Sequence, residues 1–334
     1  MSSEAMTSID RINLAINLKQ PDRVPTCLLV WTHPLGLAGV TTAEAFENPD
    51  LAERAFRDAY VKYGGWDHFP CPGAEIYLAH SVPAPNPYSP VFYNLKLPGV
   101  DAPAETQSLV EIVEEPPVTD EKGYDLIVEE GFWRLLSFRK YGLPGLLRLL
   151  SPQVAEKIKL YRDYWRYDMK VSFRAYLSAM QPFELFVYMR NLKNFLLDLR
   201  RRPEKIKEAC DAVVDGCIEI VKRLAAPKEY SNIIEVLCHY GGGASVPGGR
   251  RLYSLKIFEE LYFPYLKRMV EEFHRAGYLP ILHADADWTD NLPYLRELPK
   301  GAAMIETDGV TNLFKAKEIL GDRMCIWGDV PATL

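Results

Sequence analysis

The chain has 334 residues, 48% of them hydrophobic and 25% charged, which supplies a large core and excludes a disordered or fibrous chain. Its formal net charge of -6 provides no broad attraction to phosphate backbones or anionic membranes, so nucleic acid is not an expected partner. No run of about 20 uncharged residues is present to span a bilayer, and the amino-terminal segment MSSEAMTSIDRINLAINLKQPDRVP lacks a signal-peptide core.

Asp10 is positioned to cap a short helix over Arg11 to Lys19, closed by Pro21 and Pro25 before VPTCLLVW, an apolar run of strand length. TTAEAFENPDLAERAFRDAYVKYGG predicts two helical segments, because Asn48-Pro49-Asp50 restarts the helix and Gly64-Gly65 ends it. WDHFP is the second candidate strand. From Pro72 to Gly131 prolines accumulate among short β-rich pieces, such as VFYNLKLP and DLIVEEGFWRLL. This stretch reads as an insertion or lid near a barrel mouth.

Helical segments are expected from about Leu143 to Leu177, followed by FELFVYM as a strand. Thereafter helix and strand alternate through NIIEVLCHY, LPILHAD, AAMIETD and MCIWGD, with a helix break expected at Pro264. The pattern predicts one α/β domain over residues 1–334, a TIM-like (β/α)8 barrel. Seven strands are visible where closure needs eight, so either one element is hidden in this reading or, as the leading expectation, the last β/α unit lies beyond Leu334. The six cysteines, at 27, 71, 210, 217, 238 and 325, form no CxxC pair and predict reduced thiols and a cytoplasmic location.

Several of these strands end on residues that carry chemistry: His239, then His283 and Asp285, then Glu306 and Asp308. A barrel collects its active-site groups at the C-terminal ends of its strands, so an enzyme is the leading reading. In His283-Ala284-Asp285 the period of two puts both side chains on one face of a strand, within reach of one metal ion, and zinc accepts both donor types. The bland alternative is a hydrogen-bonded histidine beside a helix-capping aspartate. Glu306 and Asp308 repeat the spacing one strand later and suit either zinc or general acid-base work, with a cap on the next helix as the rival role for Asp308. His239 leads into Tyr240-Gly241-Gly242-Gly243, whose glycines allow close backbone approach to a ligand. Trp31, His33 and Trp288 also fall at strand ends, where ring faces could line a substrate pocket. Cys238 and Cys325 read as core residues, His68 as a surface residue, His274 as the end of a helix and Arg200-Arg201-Arg202 as a solvated face.

The order of motifs resembles the uroporphyrinogen decarboxylase superfamily, particularly its corrinoid-associated methyltransferases. The residues that carry it are DRVP at 22–25, Gly64-Gly65-Trp66-Asp67, YSLKIFEELYFPYLKRMVEEFHRAGYLPILHAD and LFKAKEILGDRMCIWGDVP, most specifically after Asn232. True decarboxylases of this kind carry an arginine-rich segment after the first strand; here the stretch is Trp31-Thr32-His33-Pro34-Leu35-Gly36, which lacks charge partners for substrate carboxylates. The zinc-dependent thiol methyltransferases of the superfamily use HxC where this chain has His283 and Asp285, and distantly similar methionine synthases take a glutamate ligand near Glu306 and Asp308. The resemblance therefore implies zinc held by His283, Asp285 and Glu306, with Asp308 or His239 assisting leaving-group protonation. Trp31, His33, Tyr240 and Trp288 would bind the donor. A nitrogen and oxygen ligand set suits an oxygen-bearing substrate. The implied reaction is O-demethylation: a methyl group moves from a small donor, such as a methoxylated aromatic ether, to the Co(I) corrinoid (cobalamin) of a partner protein. A decarboxylase-like lyase and a non-catalytic corrinoid-protein-binding barrel are the alternatives.

Overall fold

Asp67 has 1% of its side chain exposed, and its partners explain how the amino-terminal segment is held. The carboxylate accepts from Arg11 at 2.6 Å, from Arg23 at 2.7 and 2.9 Å, from the Thr26 backbone at 2.9 Å and from the Ser8 hydroxyl at 3.0 Å. Arg11 also grips Asp22 through two nitrogens at 2.6 and 2.7 Å, so DRVP and GGWD are two halves of one ionic knot. Against the burial that would raise it, these donors keep the Asp67 carboxyl below its usual pKa.

The protein is described by a computed structural model over residues 6–28, 32–70, 95–96, 98–99, 102–105, 111–112, 122–137, 152–174, 177–225, 232–241 and 251–328. Two compact units are present. The first comprises Met1–Ala15, Lys19–Glu115 and Arg139–Ala175; the second comprises Ile16–Leu18, Pro116–Phe138 and Tyr176–Leu334. Among the described residues no helix is long and apolar enough to cross a membrane.

In the first unit the helix Ser8–Ile16 begins one residue after Thr7, whose hydroxyl accepts from the Asp10 backbone. Thr7, not Asp10, is thus its cap. Helices Thr42–Glu47 and Pro49–Tyr63 share Asn48 as end and restart, as the Asn-Pro-Asp signal predicts, and Gly64 ends the second. Strands β1 (His68–Pro70), β2 (Leu95–Lys96), β3 (Glu111–Ile112) and β4 (Ser172–Arg174) form two short pairs, β1 with β4 parallel and β2 with β3 antiparallel. Of VPTCLLVW, the described part contributes a single bridge, Cys27 to His68. His68 is buried rather than at the surface. Leu35, Ala52, Phe56, Trp66, Trp165 and Val171 form the core of this unit.

The second unit is built on five parallel strands in sequential order: β5 (Leu177–Met180), β6 (Ile233–Leu237), β7 (Leu279–Ala284), β8 (Met304–Thr307) and β9 (Cys325–Trp327). Each is joined to the next by helical crossovers, and no strand order reverses, so all C-terminal ends open toward the same edge. The sheet is the α/β arrangement expected; among the described residues the strands form three separate sheets rather than a closed ring.

Register divides this sheet into two faces. Met180 pairs with Leu237, Leu237 with His283, His283 with Glu306 and Glu306 with Trp327, so these side chains share one face. Nearer the N-terminal ends, Ile233, Leu279, Ile281 and Met304 form an apolar layer on that face, with Ile16, Cys325 and Trp327 packed against it. The other face is carried by Ile234, Val236, Leu282 and Ile305. Behind it, helix Pro203–Leu224 packs on helices Phe263–Arg275 and Phe132–Ser137. Gly216 permits the last contact, since a Cβ there would lie 2.3 Å from the Phe132 side chain.

Three expected elements differ. FELFVYM lies in a helix, Pro182–Arg190, in which eight of nine residues are buried; a continuous apolar run fits a fully buried helix as well as a strand, and Pro182 occupies its first turn. The true strand, LSAM, lies just before it and begins at Leu177, where the stretch expected to be helical ends. Within the proline-rich region, the described part of DLIVEEGFWRLL is helical, Lys122–Glu130 and Phe132–Ser137, and belongs to the second unit; residues 71–94 lie outside the described residues. The break at Pro264 is a π-helical turn, Phe258–Tyr262, leading into Phe263–Arg275, which accommodates the missing proline N–H.

Removing the Asp67 carboxylate leaves buried Arg11 with Asp22 alone and breaks the Arg23 ion pair. Asp67→Ala should cost about 3 to 5 kcal/mol in the first unit; a denaturant transition followed by tryptophan fluorescence that matches the unaltered protein would show the knot to be dispensable.

Candidate functional site

His283 and Glu306 sit opposite each other on neighbouring parallel strands, and the register brings Glu306 Oε2 to 2.7 Å from His283 Nδ1. The other end of the ring, Nε2, lies 2.9 Å from Asp285 Oδ1. Asp285 follows at period two and reaches across to His239, whose Nε2 is 3.4 Å from Oδ2. His239 lies just past β6 on the same face, and its Nδ1 meets the Tyr188 hydroxyl at 2.8 Å. Five side chains from three strand ends and one helix are thus joined through two imidazole rings.

Two groups of potential ligand atoms result, each with all members within 4.8 Å of one another: His239, His283 and Asp285, and, deeper, Glu235, His283 and Glu306. His283 is shared. The set His283, Asp285 and Glu306 is brought together in space but divided between the two ends of one ring, because a ring presents its nitrogens in different directions. A four-coordinate zinc with bonds near 2.0–2.1 Å places neighbouring ligand atoms roughly 3.3 Å apart. The 2.9 and 3.4 Å separations around Asp285 fit such an ion. Both histidines also have their far nitrogen on an oxygen, the arrangement that orients an imidazole toward a metal.

Burial drives the two histidines in opposite directions. His239 is lowered to about 4, because burial penalises the imidazolium by more than the Asp285 charge restores, and His283 adds a smaller repulsion. For His283 burial also opposes the charge, but the hydrogen bonds its ring donates to Asp285 and Glu306 overcome it and raise the pKa well above the ordinary value. Burial pushes the Asp285 carboxyl up, yet its bond to His283 holds it below the usual range.

The helix after β5 supplies two residues that the sequence reading left unassigned. Glu184 is fully buried; its Oε1 accepts from the Tyr240 backbone at 2.9 Å and from the Tyr262 hydroxyl at 2.8 Å, while burial raises its carboxyl to about 8. Tyr188, four residues on, shares that helix face; its hydroxyl hydrogen-bonds His239, and its ring stands edge-on to that of Tyr240, with centroids 5.9 Å apart. Polar residues at i and i+4 in an otherwise apolar run were the available signal once the run is read as helix. Glu235 was visible as a lone charge inside β6, with 3% exposure.

The other expected residues fall as follows. Tyr240 is half-buried beside His239, its carbonyl accepting from the Tyr253 hydroxyl. Trp288 has no exposed surface and packs against Phe258 and Tyr262, so it is core rather than pocket wall. Gly241 serves that packing: a Cβ there would lie 2.1 Å from Trp288. His33 is an exposed residue opening helix His33–Ala38 of the first unit, and Trp31 lies outside the described residues. Asp308 enters the turn after β8; the following helix is capped by Asn312, which accepts from the Lys315 backbone at 3.0 Å, so Asp308 is not its cap. Nor is Asp285 a cap, while Asp287 accepts from the Thr289 backbone in a local turn. Cys238 points its thiol to the Val236 carbonyl and Cys325 packs on the apolar layer, with burial raising both thiols; neither joins the ligand groups.

Residues 151–334, just over half of the chain and all of the cluster, match the family model described as Uroporphyrinogen decarboxylase (URO-D). The chain belongs to this family. No curated protein gives a significant match. The family is built on the TIM barrel and its members are mostly enzymes, so the cluster at the C-terminal strand ends lies where barrel chemistry is found.

Two titrations of opposite sign should be measurable in metal-free protein. With His239 at about 4 when folded against an ordinary 6.5, the unfolded chain binds the extra proton between these values; stability is present above about pH 6.5 and lost as pH falls toward 4. His239→Asn should flatten that loss by on the order of 2 kcal/mol. Glu184, raised from 4.5 to about 8, stabilises below 4.5 and loses that contribution as pH rises through 8, so Glu184→Gln should flatten the alkaline side. Thermal melts across pH 4 to 9 decide both, and variant profiles parallel to the unaltered protein would contradict these environments.

Proposed function

We propose that the protein is a methyltransferase that takes a methyl group from a methoxylated aromatic ether and delivers it to the Co(I) corrinoid of a partner protein, at a zinc centre held by His239, His283 and Asp285. The observation that carries this reading is the convergence of those three side chains at 2.9 and 3.4 Å, with both histidines anchored from behind. Zinc bound there would supply Lewis acidity at the ether oxygen, whose departure as a phenolate is the difficult part of the reaction. The C–O bonding pair leaves with oxygen, the Co(I) pair forms the new bond to carbon, and the oxygen takes one proton.

The protein's own groups have separable tasks in this scheme. Glu306 fixes the His283 ring through Nδ1, and Tyr188 fixes the His239 ring. Relative to the expectation from sequence, His239 becomes a ligand and Glu306 an orienting carboxylate; Asp308 keeps the expected role of proton donor to the leaving oxygen. The thiolate-free set favours an oxygen-bearing donor over a thiol.

Decarboxylation of a polycarboxylate is the less favoured use of this site. Among the described residues, the ion pairs of Asp285 and Glu306 are with imidazoles, and none is with arginine or lysine. Substrate carboxylates would meet Asp285 and Glu306 there, and the His283 imidazolium is already paired with both.

Purified protein should contain about one zinc per chain, and His283→Ala should lose both the metal and ether demethylation measured with reduced corrinoid protein. Glu306→Gln should retain the fold and weaken zinc binding by about 10- to 100-fold. Methyl transfer that persists unchanged in His283→Ala would defeat the assignment, and binding of corrinoid protein without turnover of any donor would instead favour a non-catalytic barrel.

A further inference from the structure

The residues that flank His283 and Glu306 in their cross-strand row differ in kind. On one side stand Leu237 and Met180, both buried; on the other stands Trp327 of β9, in register with Glu306 and half-buried. Paired residues of parallel strands turn their side chains to the same face, so the indole shares the face that carries the ligand cluster. Trp327 packs against the apolar layer of Ile233, Leu279, Ile281 and Met304 nearer the strand starts. Its carbonyl accepts from the Thr307 hydroxyl at 3.5 Å, which ties the end of β9 to that of β8. The ring is thus held at its root and along the layer below it, one row beneath the level at which Asp285 follows His283.

We infer that Trp327 is a specificity residue against which the aromatic ring of the methyl donor packs, so that the site selects an aryl over an alkyl methyl ether. The inference rests on the ligand set and the donor proposed above. The ether oxygen belongs where His239, His283 and Asp285 converge, at the ends of β6 and β7, with Asp308 following on β8. Adjacent strands stand about 4.8 Å apart, so β9 lies roughly 10 Å along the sheet from β7. One methoxyphenyl group laid across the end of β8 covers that span, its oxygen at the ligand cluster and its ring at Trp327. The opposite direction offers no equivalent, because the same row toward β5 is filled by Leu237 and Met180, which are buried. Contact between two aromatic rings, stacked or edge-on, is worth more than the area it covers, and a saturated ring of the same size covers the indole without that gain. Trp327 therefore supplies the aromatic wall that the sequence suggested for Trp288, which packs in the core instead.

The test uses direct binding without corrinoid or turnover. The probes are methoxybenzene and methoxycyclohexane, methyl ethers of similar size that differ in aromaticity, titrated by calorimetry into zinc-loaded full-length protein with zinc content and thermal melting measured alongside. In Trp327→Leu the ratio of the two affinities should shift against methoxybenzene by about threefold to tenfold, and in Trp327→Phe it should stay within about twofold of the unaltered protein. Both variants should keep their zinc. A ratio that Trp327→Leu leaves unchanged overturns the inference while leaving the zinc site standing, and so does loaded protein that binds neither ether. Should Trp327→Leu melt too early to titrate, fluorescence decides: methoxybenzene should alter the tryptophan emission of the unaltered protein but not that of Trp327→Phe, and an equal response in both overturns the inference. Loss of zinc or of the melting transition in Trp327→Phe gives the residue a structural role and overturns it too. Protein that takes up no zinc overturns the ligand set, and with it the donor position argued from that set.

Discussion

Everything at the candidate site depends on one imidazole with an acceptor at each end. His283 lies in a row that includes Leu237 and Glu306 across neighbouring strands, so its Nδ1 is committed to Glu306 by sheet register and its Nε2 to Asp285 by strand alternation. A one-residue slip of β8 against β7 would turn Glu306 to the helix-covered face and leave the ring held at one end. The apolar layer of Ile233, Leu279, Ile281 and Met304 fills the same face nearer the strand starts. Glu235 stands in the row of Ile281 and Met304, so a buried carboxylate enters that layer one row below His283 and Glu306.

The same residue type takes opposite electrostatic characters a few ångströms apart, and the cause is the count of carboxylates each ring faces. His239 has one carboxylate at 3.4 Å, a hydroxyl behind it and a neighbouring imidazole, so burial dominates and the ring stays neutral. His283 has carboxylates at 2.7 and 2.9 Å, with the Glu235 charge adding to them, and holds its proton. A cation entering between the rings must therefore displace a proton from His283 and none from His239. Its affinity would rise with pH, and the step is governed by Glu306 and Asp285 rather than by the ring alone.

Much of this was legible in the sequence because strand ends and period-two spacing are local signals. NIIEVLCHY, LPILHAD, AAMIETD and MCIWGD all form the expected parallel strands, and His283-Ala284-Asp285 does place both side chains on one shared cluster. What local signals omit is which end of a ring meets which carboxylate, since that follows from register between strands separated by more than twenty residues. FELFVYM was misread for a different reason: an apolar run lacks a period, and its burial on all sides conceals whether it is helix or strand. That single reversal hid Glu184 and Tyr188, which only helical spacing puts on one face. Trp288 was misplaced because a strand-end aromatic can fold back into the core, as the Trp288 backbone bond to Thr311 and its packing on Tyr262 require.

The helix after β5 thus controls a turn that belongs to another strand. Glu184 bonds the Tyr240 N–H, the hydroxyl of Tyr253 bonds its carbonyl, and Gly241 fits beneath Trp288 only because it lacks a side chain. A buried carboxyl that stays protonated near neutral pH is an uneconomical way to hold one loop, unless the loop's geometry matters more than the stability lost. What that geometry secures is the direction of the His239 ring. Its Nε2 has to face Asp285 and the neighbouring His283, while its Nδ1 has to remain in reach of Tyr188. Relaxing the turn by one rotamer would separate these two demands, and the cluster would keep its residues while losing their convergence.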